Sequence, residues 1–502
     1  MGSMAKSILL QGGMVCDGSG AEPRPAEVLI EGERIAAVAA PGTCRAENVD
    51  VVDCTGKVIS PGFIDAHSHG DTRKLVWSDN RTKLRQGVTT EVDGNCGFSW
   101  SCVSGEAGGR RWRDLAGYFD MLRADPVSTN TVALCGHNTI RAEVMGQRNG
   151  RPSADELAKM RRLIEESLEA GAAGWSSGLT YFPGKFADTA ELLALAETTK
   201  GSKKIYATHL RSEGDRLSEA VDEAVEIARA GSGRLQLSHL KTIFPQNFHK
   251  IDALIEKVER LRAEGFFLFA DRYPYIYSST RIGQALPLPY SLDVGIAAKL
   301  RASETFREEV VEALKHSPRD LPTTIIPRLG RDIAELAAAE GTTVERVAMR
   351  LIMENPEVDV AFRCMSEENM QRILAAPWVC AGSDGISMQL DDPADAGHPR
   401  AAGSFPRFFR IVSASCGVGE AVRKMTSLPA EIFRIPERGL VREGYFADLV
   451  VFDAAKLDSF ADFRGGDAAP VGIDRVIVAG RTAWCAAEPE KVGRYGRPIP
   501  ID

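Results

Sequence analysis

The sequence lacks the features that identify membrane, nucleic-acid-binding and disulfide-rich proteins. It contains no stretch of 18 or more consecutive apolar residues, which argues against a membrane-spanning helix. It also has no long run of Lys or Arg, and 69 acidic against 61 basic residues give a formal net charge of -8, so we expect no nucleic-acid partner. Its ten cysteines follow no paired spacing, a pattern typical of reduced thiols.

The start of the chain shows no secretion signal. Residues Met1-Gly2-Ser3-Met4 resemble an expression remnant, and no positively charged segment followed by a short apolar segment comes after them. We therefore expect a cytoplasmic protein. Its expected partner is a small-molecule substrate, with neither a membrane nor a nucleic acid bound.

Both ends of the chain are predicted to build one small β-sandwich domain. The first sixty residues hold short strand-like segments separated by Gly, Pro and Asp clusters, and the same pattern returns near the end in ADLVVFD and DRVIVAG. The composition, with 44% hydrophobic and 26% charged residues, is that of an ordinary folded chain. We therefore predict a small β domain of residues 1–60 and 445–502 beside a larger domain of residues 61–444.

The larger domain is predicted to be a (β/α)8 barrel. Strand-like and helix-like segments alternate through it, which favours a parallel sheet, and no GxGxxG turn of an open dinucleotide-binding sheet follows the first strand. Eight such units match a closed barrel. The predicted strands are residues 62–67, 88–93, 131–135, 171–176, 204–209, 234–239, 266–272 and 378–383. Residues 283–376 are too many for a loop, so we predict a helical insertion before the eighth strand.

Histidines end several of the predicted strands. In the segment PGFIDAHSH, His67 and His69 lie two apart at the end of the first strand, so both imidazoles face the same side. Among only eight histidines in the chain, His209 and His239 end the fifth and sixth strands. Because active sites of such barrels lie at the C-terminal ends of the strands, these four histidines are predicted to be metal ligands.

Two further rim residues carry possible chemistry. The fourth strand segment, GAAGWSSG, has no lysine of the kind that is modified to bridge two ions in many metal barrels. Cys96, after the second strand, is predicted to bridge instead, since a thiolate is a good zinc ligand; the alternative is a buried Cys beside a turn glycine. Asp384, after the eighth strand, is the candidate general base, and the alternative is a turn residue before Gly385.

These segments resemble one enzyme family. PGFIDAHSHGD, GVTTEVDGNCG, YATHLRSEGD, QLSHLK, DRYPYIYSST, AGSDG and GHPRAAGSFPR are similar to segments of the N-acyl-D-amino-acid deacylases (D-aminoacylases) of the amidohydrolase superfamily. The resemblance extends to the terminal DLVVFD and so covers nearly the whole chain. Two departures, Leu240 in place of a second His and the loop of residues 386–396, concern the substrate side chain rather than the metal chemistry.

The resemblance implies the cofactor and the ligand sets. One zinc ion would be held tightly by Cys96, His209 and His239, and a second, weaker site would be formed by His67, His69, Cys96 and Asp384. The resemblance also implies a set that binds the substrate carboxylate: Lys241, Tyr273, Ser279 and Arg400. The chemistry is consistent with this set, because an arginine can bind a carboxylate through two hydrogen bonds. Plain surface charge is the alternative for the lysine and the arginine.

The expected reaction is hydrolysis of an N-acyl-D-amino acid to a carboxylate and a free D-amino acid, with zinc polarising the acyl carbonyl. The D-configuration follows from the resemblance alone. A cyclic amidase of the hydantoinase or dihydroorotase kind is one alternative, although it normally keeps the fourth-strand lysine. A non-catalytic barrel is another, although it would be expected to lose the metal-type residues. We expect His137 to contact residues of the site without binding the metal itself, and His249, His316 and His398 to be ordinary surface or loop residues.

Overall fold

The barrel predicted from the sequence is the centre of the fold. A computed structural model describes residues 7–45, 48–388, 397–463 and 469–502. The first four residues, and residues 389–396 of the loop singled out above, lie outside this described part. Within it, eight parallel strands follow one another in chain order around the sheet. They are Phe63–Asp65, Val88–Asp93, Asn130–Gly136, Gly174–Gly178, Ile205–His209, Arg234–Leu237, Phe267–Arg272 and Val379–Ala381.

The first and eighth strands close the barrel at their C-terminal ends. The amide of Ala66 donates to the carbonyl of Ala381 at 3.2 Å, and the amide of Asp384 donates to the carbonyl of His67 at 2.8 Å. The closure therefore places the residues that follow these two strands side by side. Nearly all residues of the eight strands are buried, as expected when helices cover the outside and side chains fill the inside.

Helices surround the barrel in the order that the alternating pattern predicts. The one at Ala154–Glu169 shows why these segments are helical: Ser153 and Glu156 form a capping box, and Met160 and Ile164 face the core. The barrel helices are Arg73–Val76, Arg81–Leu84, Leu115–Ala124, His137–Met145, Ala154–Glu169, Thr189–Ala196, Leu217–Ala230, Ile251–Ala263, Glu367–Ala375, Arg400–Cys416, Val418–Met425 and Ser427–Phe433. None of the helices in the described ranges is long and apolar enough to cross a membrane.

Strands from both termini pack beside the barrel. The join is direct, because Val58–Pro61 pairs antiparallel with Leu449–Phe452. A six-stranded sheet contains Met14–Val15, Arg24–Pro25, Val58–Pro61, Leu449–Phe452, Ile473–Val478 and Arg481–Cys485. A four-stranded sheet contains Ser7–Gln11, Glu27–Glu31, Arg34–Ala39 and Val49–Asp53. Apolar residues of both sheets, including Leu10 and Leu449, share one core.

The segment between the seventh and eighth strands has its own core and reaches the barrel mouth. It contains the predicted helices and also a small four-stranded sheet that the sequence analysis did not predict. Its helices are Ile296–Ala302, Glu304–Leu314, Ile333–Glu340 and Val344–Glu354, and its strands are Tyr277–Arg281, Ile325–Ile326, Arg331–Asp332 and Asp359–Arg363. The first of these strands carries Ser279 past the C-terminal end of the barrel.

Candidate metal centre and active site

The sequence-predicted metal ligands converge at the C-terminal ends of the barrel strands. The thiol of Cys96 lies in the middle of three imidazoles, 3.3 Å from His67 Nε2, 3.4 Å from His239 Nε2 and 3.8 Å from His209 Nδ1. Sulfur at about 2.3 Å and nitrogen at about 2.0 to 2.1 Å from a tetrahedral zinc ion stand about 3.6 Å apart. The separations therefore fit donors that share metal ions, with the thiol common to all three pairs.

Unusual backbone conformations turn these side chains into the site. Cys96, His239 and Asp384 have φ angles of 52°, 37° and 50°, in the left-handed region that residues with a Cβ rarely adopt. Such conformations cost on the order of 1–3 kcal/mol each and are concentrated at functional sites. In the NCG segment, Gly97 is also left-handed, and a Cβ there would meet Asn138 Oδ1 at 2.1 Å. The turn that presents Cys96 thus requires the glycine that follows it.

Two carboxylates lie behind the imidazoles. His67 has its second nitrogen, Nδ1, 3.1 Å from Asp271 Oδ1. His239 Nδ1 and His209 Nε2 both face Glu213, at 3.1 and 3.6 Å. Each imidazole therefore turns one nitrogen to the thiol and the other to a carboxylate. For His67 and His209 this is the arrangement that fixes the tautomer and ring orientation of metal-binding histidines, whereas His239 Nδ1 also faces the Lys241 ammonium.

The sequence analysis missed both carboxylates, although signals for them were present. Glu213 lies in the motif YATHLRSEGD, at position i+4 from His209, and Asp271 is near the end of the seventh strand. A search of every strand end for carboxylates, and not only for histidines, would have identified Asp271. The contact of Glu213 with two histidines from different strands could not be read from spacing.

The electrostatics favour the ligand form of the thiol. Burial by itself raises the pKa of Cys96, but the neighbouring His67 and His239 bring the pKa well below its usual range. Burial likewise raises the pKa of Glu213, and Lys241 and the two histidines more than reverse the effect. A thiolate and an ionised carboxylate are the forms that bind a metal and orient its imidazole ligands.

Asp384 lies between the histidine pair and a buried arginine. Its Oδ1 is 3.4 Å from His67 Nε2 and 3.0 Å from His69 Nε2, while Oδ2 is 2.7 Å from Arg400 Nη1. Burial raises the pKa of Asp384, but Arg400 and then His239 bring the pKa well below its usual range. An ionised carboxylate at this position can accept a proton or bind a metal.

The four residues expected to bind the substrate carboxylate line one cavity of about 460 Å³ together with His209, His239 and Asp384. Arg400 is only 7% exposed, and its guanidinium stands 4.8 Å from the centre of the Tyr273 ring. Lys241 is 4% exposed, forms an ion pair with Glu213, and has its Nζ 2.7 Å from His239 Nδ1. Neither cation is therefore an ordinary surface charge. Ser279 is half-buried and reaches the cavity from the insertion.

The remaining histidines divide into three situations. His137 is buried and lies 2.8 Å from Glu191 Oε1, a pair that none of the metal-type residues above joins. His249 and His316 are exposed, as expected. The prediction for His398 is wrong in one respect: the residue is in a loop, but it is buried because the rings of Tyr275 and Phe463 pack against it at 5.6 and 4.9 Å.

Comparisons with known proteins find relatives that match nearly the whole chain. A profile of the amidohydrolase family matches residues 50–483. N-acyl-D-glutamate deacylase from Alcaligenes xylosoxydans xylosoxydans is 34% identical over 515 residues, which cover 99% of this chain and 96% of the relative. D-aminoacylase from the same organism is 34% identical over 491 residues, covering 95% of this chain and 94% of the relative.

A solved structure shows the same similarity in three dimensions. It is that of N-acyl-D-glutamate deacylase from Bordetella bronchiseptica, complexed with zinc and a phosphonate inhibitor described as a mimic of the reaction's tetrahedral intermediate. The two chains share 30% identity and superpose with a TM-score of 0.82, covering 99% of this chain and 100% of the other. The likeness thus includes the barrel, the insertion and the terminal strands.

Proposed function

Since this chain belongs to the amidohydrolase family, we propose that it hydrolyses the amide bond of N-acyl-D-amino acids, releasing a carboxylate and a free D-amino acid. The observation that carries the proposal is the cavity itself. It is lined by the ionised Asp384, the buried Arg400, and His209 and His239, two histidines that flank the Cys96 thiolate. The fourth strand, Gly174–Gly178, has no lysine, which disfavours a cyclic amidase of the hydantoinase kind.

We propose zinc as the metal, held tightly by Cys96, His209 and His239. A soft sulfur and two imidazole nitrogens are donors that zinc prefers, and three of them leave a position open for substrate or water. A second, weaker site would use the same thiol with the remaining metal-type residues: His67, His69 and Asp384. A bound zinc ion supplies electrophilic polarisation of the acyl carbonyl and lowers the pKa of a water molecule.

The protein's own residues would then position the substrate and move the proton. Asp384 accepts the proton of the attacking water and returns it to the nitrogen of the departing amine, which needs one hydrogen bond of reach. Arg400, Tyr273, Ser279 and Lys241 bind the α-carboxylate of the substrate. The positive charges of Arg400 and Lys241 hold this carboxylate in place, so that the scissile amide bond stays beside the reacting groups. Their effective concentration is thereby raised.

We also propose a cytoplasmic location for this activity. The ten cysteines are all free thiols, as is usual in a reducing compartment.

The proposal is tested by a substrate panel with the purified enzyme. N-acetyl-D-amino acids should be hydrolysed with a kcat/KM at least roughly 100-fold above that of their L-enantiomers, about 2.7 kcal/mol of discrimination in the transition state. Hydantoin and dihydrouracil, which lack the α-carboxylate, should give no measurable product. Turnover of either cyclic amide at a rate comparable to the acylamino acids would overturn the deacylase proposal in favour of a cyclic amidase.

Replacing Arg400 by Met should raise KM for N-acetyl-D-amino acids by roughly 10- to 100-fold, the value of a hydrogen-bonded charge pair. A smaller loss in kcat should accompany it, because the substrate amide is no longer held in place against the reacting groups. Steady-state kinetics on a substrate and on the same compound with its carboxylate masked as an amide separate the two effects.

The masked compound should be poor with the native enzyme and should lose little more in affinity. Arg410→Met, an exposed arginine on the same helix, is the matched control and should change neither constant by more than about threefold. Equal losses of affinity for both compounds in the Arg400 variant would assign that residue to the loop structure rather than to substrate binding.

A further inference from the structure

His398 uses both of its ring nitrogens to join two separate elements at the mouth of the cavity. Its Nδ1 accepts a hydrogen bond from the backbone amide of Arg400 at 3.0 Å. Its Nε2 lies 3.1 Å from the carbonyl oxygen of Tyr277. One element is the start of the helix Arg400–Cys416, and the other is the first strand of the insertion, Tyr277–Arg281.

These two partners determine the tautomer. A backbone amide can only donate and a carbonyl can only accept, so Nδ1 is unprotonated and Nε2 carries the hydrogen. The ring is therefore a neutral imidazole with both hydrogen-bonding positions satisfied. Burial, followed by the charge of Arg400, holds the pKa of His398 well below its usual range, which agrees with the neutral form.

The elements that His398 joins carry residues of the proposed carboxylate-binding set. Arg400 is bonded through its own backbone amide, and Ser279 follows Tyr277 by two residues on the same strand. Arg400 and Ser279 both line the cavity. The ring of Tyr273 is 6.2 Å from the imidazole. His398 thus lies against the Tyr273 ring and bonds to the backbone of the two elements that carry Arg400 and Ser279. Lys241 is the member of the carboxylate-binding set that it does not support.

We propose that His398 is a positioning residue for substrate recognition, which fixes Arg400 and Ser279 at the separation that the α-carboxylate requires. The inference rests on the proposed function, because it assigns a task to residues that this function places against the substrate. Binding an anion through several donors needs them held within about 0.5 Å of the productive geometry. Among the described strands, Tyr277–Arg281 pairs only within the small sheet of the insertion, so sheet hydrogen bonds do not hold it to the start of the helix at Arg400.

Two substitutions separate the hydrogen bonds from the shape of the ring. His398→Phe keeps an aromatic ring among Tyr273, Tyr275 and Phe463 but removes both bonds. His398→Asn can still accept from the amide of Arg400, as Asn does in an Asx turn, but it does not reach Tyr277. We expect KM for N-acetyl-D-amino acids to rise roughly 10- to 50-fold in the first variant and less in the second, with kcat changed by less than about threefold.

Metal content and the kinetics of the carboxylate-masked substrate distinguish a positioning role of His398 from a general structural role. Bound metal per chain should stay at the native value, and kcat/KM for the carboxylate-masked amide should change by less than about threefold. Combined with Arg400→Met, His398→Phe should raise KM by a clearly smaller factor than it does in the native enzyme, because Arg400, one of the two residues that it positions, is already gone. His316→Phe, an exposed histidine, is the control.

The results expected for a wrong positioning role of His398 differ from those expected for a wrong proposed function. Equal losses on the native and masked substrates, or fully multiplicative effects in the double variant, would overturn the positioning role. Unchanged KM in both His398 variants would also overturn it. If His398→Phe does not fold, judged by circular dichroism, His398→Asn alone decides by the same criteria. Failure of the native enzyme to hydrolyse any acylamino acid would instead reject the proposed function, and the substrate panel detects this before any variant is made.

Discussion

Asp384→Asn is expected to lower kcat for N-acetyl-D-amino acids by roughly two to four orders of magnitude. The amide has the shape of the carboxylate but cannot take a proton from water, so the group that the structure places beside the histidine pair loses its chemical role. The ionised state of Asp384, held by Arg400 at 2.7 Å, makes the carboxylate available as a proton acceptor in the native enzyme. Single-turnover and steady-state kinetics measure the effect.

Metal analysis of the same variant isolates the cause of the loss. Cys96, His209 and His239 are unchanged in it, so metal in the tight site should remain at about one ion per chain. Asp120→Asn, which alters an exposed carboxylate in a surface ion pair, should leave kcat within about threefold of the native value. Near-normal turnover of the Asp384 variant would exclude this carboxylate as the base and require another proton acceptor in the cavity.

Cys96→Ala is expected to weaken metal binding strongly and to remove most of the activity. The thiol lies within 3.8 Å of a ring nitrogen of each of His67, His209 and His239, so its removal takes a ligand from both proposed sites at once. Loss of residues that only orient a ligand already costs 10- to 100-fold in metal affinity, and we expect at least about 100-fold here. Activity should fall by more than about two orders of magnitude.

Elemental analysis after dialysis, with activity measured before and after added zinc, tests this prediction. Partial recovery at high zinc concentration should accompany a weakened site, since two imidazoles remain. Cys44→Ala removes a thiol that is only partly buried and should behave as the native protein. Because Cys96 has a φ of 52°, thermal unfolding must also be compared, and Cys96→Ser provides a second variant of similar size. Native zinc content and activity in both variants would reduce the thiol to a packing residue.

The barrel and most of the site could be predicted from the sequence because both depend on local pattern. A strand with a buried run, followed by an amphipathic helix, specifies one unit of the barrel. Repetition of such units specifies a C-terminal rim where His67, His209 and His239 meet. The departures were at the edges of elements: the sixth strand ends at Leu237, before the histidine, since His239 turns out of the strand with a left-handed backbone.

Most contacts that support the site could not be read from the sequence. Asp271 orients an imidazole that follows the first strand and Glu213 one that follows the sixth, and neither of these two pairs has a spacing that secondary structure alone would produce. The burial of His398 could not be predicted, because nothing in GHPR encodes the aromatic rings that bury it or the carbonyl of Tyr277, 121 residues earlier in the chain. Such contacts exist only after the insertion folds against the barrel.

The sequence by itself therefore determined the fold class, the order of the barrel strands and the residues that are expected to bind metal. Side-chain chemistry and periodicity are local properties, and strands of one parallel barrel necessarily end at one rim. Only the tertiary structure decided which nitrogen of each imidazole faces the thiol, which carboxylates orient them, and that Arg400 and Lys241 are buried cations rather than surface charges. The physical reason is that burial and tautomer are set by neighbours that the closed barrel brings together from distant parts of the chain.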